Sequence, residues 1–135
     1  HPVQIPAGDL NEKPEIPESE ALLFQTNSKW KGLKRIIIDE KHYLKEQVTL
    51  EDIAQVLQVS RTTLSNLINS EEGQNFYSWI NSLRIEHSKT LLINYPGHTI
   101  SQIAQLTGFT ETSNFSRAFK NITGLTPTEW RKYNS

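Results

Sequence analysis

From Leu33 onward, apolar residues recur along the chain at steps of three and four. This spacing places them on one face of an α-helix, with polar residues on the other face. The first such segment places Leu33, Ile36, Ile37, Tyr43 and Leu44 inward. No part of the pattern requires the strict alternation of a strand, so it predicts an all-α fold.

Capping signals divide this helical pattern into separate elements. Three segments pair a threonine with an acidic or amide residue three positions later, as in a capping box: Thr49-x-x-Asp52, Thr99-x-x-Gln102 and Thr126-Pro127-Thr128-Glu129. Ser60 is a further candidate N-cap, and Tyr95-Pro96-Gly97 is a strong stop signal. About seven helices are therefore predicted, including a long one from Asn75 to Asn94.

The chain also contains an internal repeat. Residues 51–57 align with residues 101–107 at an offset of 50, and Leu64-Ser65-Asn66 aligns with Phe115-Ser116-Arg117 at an offset of 51. Each copy has the pattern helix, tight turn, helix, which is typical of a helix-turn-helix unit. Gly108 can supply the positive φ that such a turn needs. Two copies joined by a long amphipathic helix are a much more specific signal than one.

This pattern predicts two regions. Residues 1–30 contain four prolines and scattered acids, and we expect a flexible leader or linker there. Residues 31–135 form the helical domain, divided into a first helix-turn-helix subdomain (31–73), a connecting helix (74–95) and a second subdomain (96–135). The chain begins His1-Pro2 and contains no methionine, which indicates a piece of a longer protein.

Composition and charge narrow the possible functions. The net charge of −1 argues mildly against nucleic-acid binding, yet the acidity is concentrated in the leader, and residues 60–135 carry seven basic and five acidic side chains. Cysteine is absent, which excludes disulfides and thiolate chemistry. No apolar run approaches the roughly 20 residues that span a bilayer. We therefore expect no membrane contact by this segment.

Residues 46–133 resemble the DNA-binding domain of the AraC/XylS family of bacterial transcription regulators. The resemblance is carried by three segments and by Leu83-Arg84-Ile85-Glu86 in the connecting helix. The three segments are Ile100 to Phe109, Ser113 to Lys120, and Gly124 to Arg131. It implies seven helices in two subdomains, whose recognition helices enter major-groove segments roughly 34 Å apart.

The same resemblance implies a set of DNA-contacting residues. In the second unit the base-facing residues are Thr112, Ser113, Ser116 and Arg117, and in the first unit they are Arg61, Thr62, Ser65 and Asn66. Lys120 would lie near phosphate. Arg117 is suited to a bidentate contact with guanine, whereas its repeat partner Asn66 suits adenine. The chain departs from the family at Gln58, where glycine is usual, and a left-handed conformation there would cost roughly 1–2 kcal/mol.

The sequence therefore predicts sequence-specific binding of double-stranded promoter DNA and regulation of transcription in the cytoplasm. By resemblance, RNA polymerase is a further partner. A sensor or dimerisation domain is expected upstream of this fragment, since the fragment itself shows no effector pocket or receiver. An all-helical protein-interaction module with little DNA affinity is the alternative. The four histidines lack metal-ligand spacing, and no nucleophile elbow or phosphate-binding loop is present. We therefore expect no enzyme activity, catalytic residue, cofactor or metal.

Overall fold

The computed structural model describes the backbone of residues 18–135 and the side chains of residues 29–135. Every regular element in this part of the chain is helical, as the pattern predicted. Residues 18–135 form seven α-helices: α1 (Glu18–Asp39), α2 (Leu50–Leu57), α3 (Arg61–Glu72), α4 (Phe76–Asn94), α5 (Ile100–Leu106), α6 (Thr112–Thr123) and α7 (Pro127–Asn134). A short 3₁₀ helix, His42–Leu44, lies between α1 and α2.

Helix α1 differs from the predicted leader. A flexible segment up to residue 30 was expected, yet residues 18–30 belong to α1, and Trp30 is only 3% exposed in the first core. Trp30 Nε1 donates a hydrogen bond of 2.7 Å to Glu72 on α3, which holds α1 against that helix. The contact of Trp30 with Glu72 joins two residues 42 positions apart, so spacing along the chain gave no sign of it. The part of the leader before Glu18 lies outside the described residues.

The end of α1 also differs from the apolar pattern. Leu33 to Leu44 read as a single helical segment, but α1 ends at Asp39 and Lys41 adopts a left-handed conformation with φ 57°. The chain then turns into the 3₁₀ helix, which brings Tyr43 into the first core. The remaining predicted subdomain boundaries stay a prediction.

The capping signals locate the helix starts well. In all three predicted boxes the threonine accepts a hydrogen bond from the backbone of the residue three positions on, and that residue's side chain accepts one in return. Ser60 caps α3 and Asn75 caps α4, and each side chain accepts one hydrogen bond from the backbone amide three positions on. These predictions succeed because each hydrogen bond joins residues only three apart, so no tertiary contact is needed.

Helix α4 connects two separate cores. Trp79 and Ile80, in its first half, belong to the first core with α1, α2, α3 and the 3₁₀ helix. Ile85 and Leu92, in its second half, belong to the second core with α5, α6 and α7. We call these two assemblies the first unit and the second unit. The long amphipathic helix predicted from Asn75 to Asn94 is confirmed as Phe76–Asn94.

The second core is built around a row of aromatic rings. Phe109, Phe115, Phe119 and Trp130 follow one another with ring centroids 5.4, 5.8 and 6.0 Å apart. The rings are tilted or edge-to-face, the arrangements that aromatic pairs prefer. These aromatic residues pack α6 and α7 together through the inner faces of the two helices, and the outer face of α6 stays exposed.

Candidate nucleic-acid interface

The two units make the same turn between their helix pairs. The amide of Val59 donates to the carbonyl of Ala54, and the amide of Phe109 donates to the carbonyl of Ala104, each at 3.0 Å. Both alanines are buried, as expected where a partner helix crosses closely. The repeat seen in the sequence is thus a repeat of backbone structure.

The residues at the turn have positive φ in both units. Gly108 has φ 91°, as predicted, and Gln58 has φ 57° and ψ 42°. Gln58 therefore adopts the left-handed conformation whose cost was expected from the sequence. The turns place α3 and α6 at equivalent positions in their units.

Helix α3 presents one polar face to solvent. Leu64 and Ile68 are fully buried on its inner side. Of the four predicted contact residues on this helix, Arg61, Thr62 and Asn66 are exposed and Ser65 is half-buried. The helix thus brings all four to its first two turns, away from the core.

Arg61 has a partner that sequence reasoning missed. Its Nη1 donates to Glu51 Oε1 on α2 at 2.8 Å, and both side chains are largely exposed. The hydrogen bond from Arg61 is the main reason that the pKa of Glu51 is lowered below its ordinary value. The second unit has the equivalent contact, since Glu51 aligns with Ser101 and Arg61 aligns with Thr112, and Thr112 Oγ1 donates to Ser101 Oγ at 3.1 Å.

Helix α6 presents the corresponding face of the second unit. Phe115 and Phe119 are fully buried on its inner side. The predicted contact residues on this helix are exposed except for half-buried Ser116; they are Thr112, Ser113, Ser116, Arg117 and Lys120. Compared with α3, this face carries two cations instead of one.

Arg117 borders a polar cleft between the units. Its Nη1 donates to Asn114 Oδ1 at 3.3 Å on the same helix. The cleft is lined by residues of α4, α6, the second turn and the segment before α2: Gln47, Asn81, Arg84, Gly108, Phe109, Thr110, Asn114, Arg117, Ala118 and Asn121. Asn114 and Asn121 were not singled out from the sequence, although their helical spacing from Arg117 would have placed them beside it.

The described part of the chain gives no sign of a metal site or a membrane-spanning helix. No group of three or more histidine, aspartate or glutamate residues there is arranged to hold a metal ion. Among the helices of that same part, none combines the length and apolar character that crossing a membrane requires.

A family model described as a helix-turn-helix domain matches residues 53–133, which is more than half of the chain. The chain belongs to the AraC-type helix-turn-helix family. The match covers α3 to α6 completely and begins within α2, so both turns described above lie inside it. The predicted family and the predicted all-α fold with two helix-turn-helix units are therefore confirmed.

Individual bacterial regulators are similar to this chain. An uncharacterised transcriptional regulator of Escherichia coli, YijO, is 32% identical over 81% of this chain and 38% of its own length. The solved C-terminal domain of AraT, a response regulator from Geobacillus stearothermophilus, is 31% identical with a TM-score of 0.67, over 76% of this chain and 83% of that one.

A solved transcriptional regulator with an AraC-type DNA-binding domain from Chromobacterium violaceum is 25% identical with a TM-score of 0.70, over 81% of this chain and 96% of that one. The chain spans only 11% and 38% of the length of the first curated relatives that it matches.

Proposed function

We propose that this chain binds double-stranded DNA in a sequence-specific manner and regulates transcription. In this proposal α3 and α6 each enter one of two successive segments of the major groove. The contact residues are Arg61, Thr62, Ser65, Asn66, Thr112, Ser113, Ser116, Arg117 and Lys120. Membership of the AraC-type family and the naming of relatives as transcriptional regulators support the coarse function.

The observation that carries the two-helix proposal is the equivalence of α3 and α6. Each follows a turn closed by the same backbone hydrogen bond and buries its inner residues completely. Each exposes hydroxyl and guanidinium groups on its outer face, and α3 also exposes the amide of Asn66. Such groups read base edges in the major groove, where arginine pairs with guanine and asparagine with adenine.

The proposal has consequences for partners and location. Promoter DNA is the direct partner and places the chain in the cytoplasm. RNA polymerase is a further partner implied by the family resemblance, and an upstream sensor or dimerisation domain is a further proposed partner. The activity is binding and not catalysis, since the matching relatives are named as transcriptional regulators.

One observation favours a second candidate, an all-helical protein-interaction module. The single cation of the first recognition face, Arg61, is paired with Glu51. The carboxylate of Glu51 beside Arg61 weakens the attraction of this face for DNA phosphates, and that attraction provides much of the affinity for DNA. The net charge of −1 acts in the same direction.

Selection from a random pool of duplex DNA at low and moderate salt separates the two candidates. We expect enrichment of two segments about 10 base pairs apart. Enrichment of a single segment would limit recognition to one helix. Weak binding that disappears as salt rises, with no enriched sequence, would favour the interaction module.

The largest single contribution to recognition is assigned to Arg117. Arg117→Ala should cost about 1–3 kcal/mol of discrimination at one base position, because a bidentate guanine contact is lost. Arg35→Ala removes the same charge from an exposed position on α1 and is the matched control. Fluorescence anisotropy with the selected duplex and its single-base variants measures both. Equal losses for the two variants would contradict a base contact by Arg117.

A further inference from the structure

Arg84, in the middle of α4, is a buried cation that touches both units. It is 8% exposed and is the one charged side chain among the buried residues that the structure describes. Its Nε donates to the carbonyl of Tyr43 at 2.7 Å, and its Nη2 donates to the carbonyl of Lys45 at 2.8 Å. Both carbonyls belong to the first unit. On the other side, Cζ lies 5.4 Å from the ring centroid of Phe109 in the second unit.

The chemistry of these contacts requires arginine. The backbone carbonyls of Tyr43 and Lys45 accept hydrogen bonds from two nitrogens of one planar guanidinium, and the ring of Phe109 lies near that group. A lysine ammonium is a point charge and cannot make this forked arrangement. Burial lowers the pKa of Arg84 below its ordinary value, because it removes the guanidinium from water. A cation held under such conditions has a structural or positioning role.

Gly108 brings the second turn against the same region of the first unit. A Cβ atom on Gly108 would lie 2.8 Å from the carbonyl oxygen of Leu44 and 3.0 Å from Arg84 Nε. Gly73 and Gly124 also have positive φ, but a Cβ on either would meet open space. Close approach between the units is therefore a second, independent reason for glycine at position 108.

Arg84 lies between the two cores, where its contacts can affect the orientation of one unit relative to the other. On α4 the buried residues of the first core end at Ile80, with partly buried Leu83 packed against them, and those of the second core begin at Ile85. Arg84 lies between them with Tyr43, Lys45, Gly108 and Phe109. We call these five residues the inter-unit joint. Besides the continuous helix α4, the two hydrogen bonds of Arg84 and the close approach of Gly108 to Leu44 join the two units there.

We propose that the inter-unit joint sets the separation and angle of α3 and α6, so that the chain accepts two DNA segments at one spacing only. Arg84 is the positioning residue of this arrangement, and it acts through the two units and not through DNA. The DNA part of the proposal rests on the proposed function. The rigidity part does not, and it is tested without DNA.

The first test measures the distance between the units in the full chain. The chain has no cysteine, so spin labels can be placed at Gln55→Cys and Gln105→Cys, which are exposed, repeat-equivalent positions on α2 and α5. Pulsed electron paramagnetic resonance should give one narrow distance distribution. Arg84→Lys should broaden it while helicity by circular dichroism is kept. A broad distribution in the parent chain, or a narrow one in Arg84→Lys, would overturn the proposal.

Arg131→Lys is the matched control. Arg131 also donates to backbone carbonyls, those of Leu92, Tyr95 and His98, but these lie at and after the end of α4. Its replacement should leave the distribution narrow. A second pair of variants keeps the test valid if Arg84→Lys misfolds. Gly108→Ala should broaden the distance distribution. Gly124→Ala should not, because it brings the same backbone strain but its Cβ meets open space.

The second test uses the selected duplex and versions with about five base pairs inserted between its segments, half of the roughly 10-base-pair turn. The parent chain should lose roughly a hundredfold or more in affinity on insertion, because both helices can no longer bind together. Arg84→Lys should bind the original duplex more weakly and lose less on insertion, with single-segment binding unchanged. An unchanged insertion penalty in Arg84→Lys would contradict the proposal. If no duplex is enriched, the proposed function fails, and the distance measurement still decides whether the joint is rigid.

Discussion

The two units make the same turn with different residues, and the surroundings of each turn explain the difference. At the repeat-equivalent position the first unit has Gln58 and the second has Gly108, both with positive φ. Gln58 is exposed, so its side chain extends into solvent, whereas Gly108 is buried against the carbonyl of Leu44. The first unit tolerates the strain of a non-glycine residue because nothing crowds it. The second unit cannot, because it packs against the first.

A second difference between the units is electrostatic. At the contact between the first and second helix of each pair, the first unit has Glu51 with Arg61, and the second has Ser101 with Thr112. The capping boxes show the same contrast, since Asp52 in α2 corresponds to Gln102 in α5. Charged groups in the first unit thus stand where neutral groups stand in the second. Stability and binding by the first unit should therefore respond more strongly to pH and salt.

The largest effects should come from the two cores. Phe119→Ala in the second core should lower the free energy of unfolding by about 3–5 kcal/mol, and Leu64→Ala in the first by about 2–5 kcal/mol, because both side chains are fully buried. Urea denaturation followed by circular dichroism measures both. Because α4 belongs to both cores, each variant should shift one common transition. Two separate transitions would show that the units unfold independently.

A smaller effect tests the difference between the turns. Gln58→Gly should raise the free energy of unfolding by roughly 0.5–1 kcal/mol, because relief of the left-handed conformation, about 1–2 kcal/mol, is partly offset by the greater entropy of unfolded glycine. Thermal and urea denaturation would detect it. The converse change, Gly108→Ala, should destabilise more than Gly124→Ala, since Gly108 alone of the two lacks room for a Cβ. A destabilising Gln58→Gly would mean that the glutamine side chain makes a compensating contact.

The smallest effect concerns pH. Hydrogen bonding to the backbone of Thr49 lowers the pKa of Asp52 below its ordinary value. A lowered pKa in the folded state means that the stabilisation is present above the unfolded-state pKa and is lost as pH falls through the folded-state pKa. Asp52→Asn keeps an acceptor in the capping box but does not titrate. The difference in unfolding free energy between parent and variant should therefore shrink as the pH is lowered through the carboxyl range.

The reverse substitution in the second unit provides the control for this pH effect. Gln102→Asp converts the neutral capping box of α5 into a titrating one and should introduce the same pH dependence there. If Asp52→Asn leaves the pH profile unchanged, the carboxylate of Asp52 contributes no pH-dependent stability.

Much of the candidate site could be predicted from the sequence, because its elements are local or periodic. Each capping box joins residues three apart, and the exposure of Arg61, Thr62 and Arg117 follows from helical spacing against the buried leucine and phenylalanine positions. The partner of Arg61 was missed because Glu51 lies on another helix. The helical part of the predicted leader was missed because Trp30 is stabilised by Glu72, far away in the chain.

The sequence by itself determined the helices, the repeat, the family and the polar faces of α3 and α6, since all of these depend on residue spacing within a few turns. Only the tertiary structure decided how the two units are held together. Arg84 lies in the connecting-helix segment that carries the family resemblance, but its acceptors, the carbonyls of Tyr43 and Lys45, are 41 and 39 positions away. No periodicity links residues at such separations. Their contact arises only when both cores pack on the two halves of α4 and bring Gly108 against the first unit.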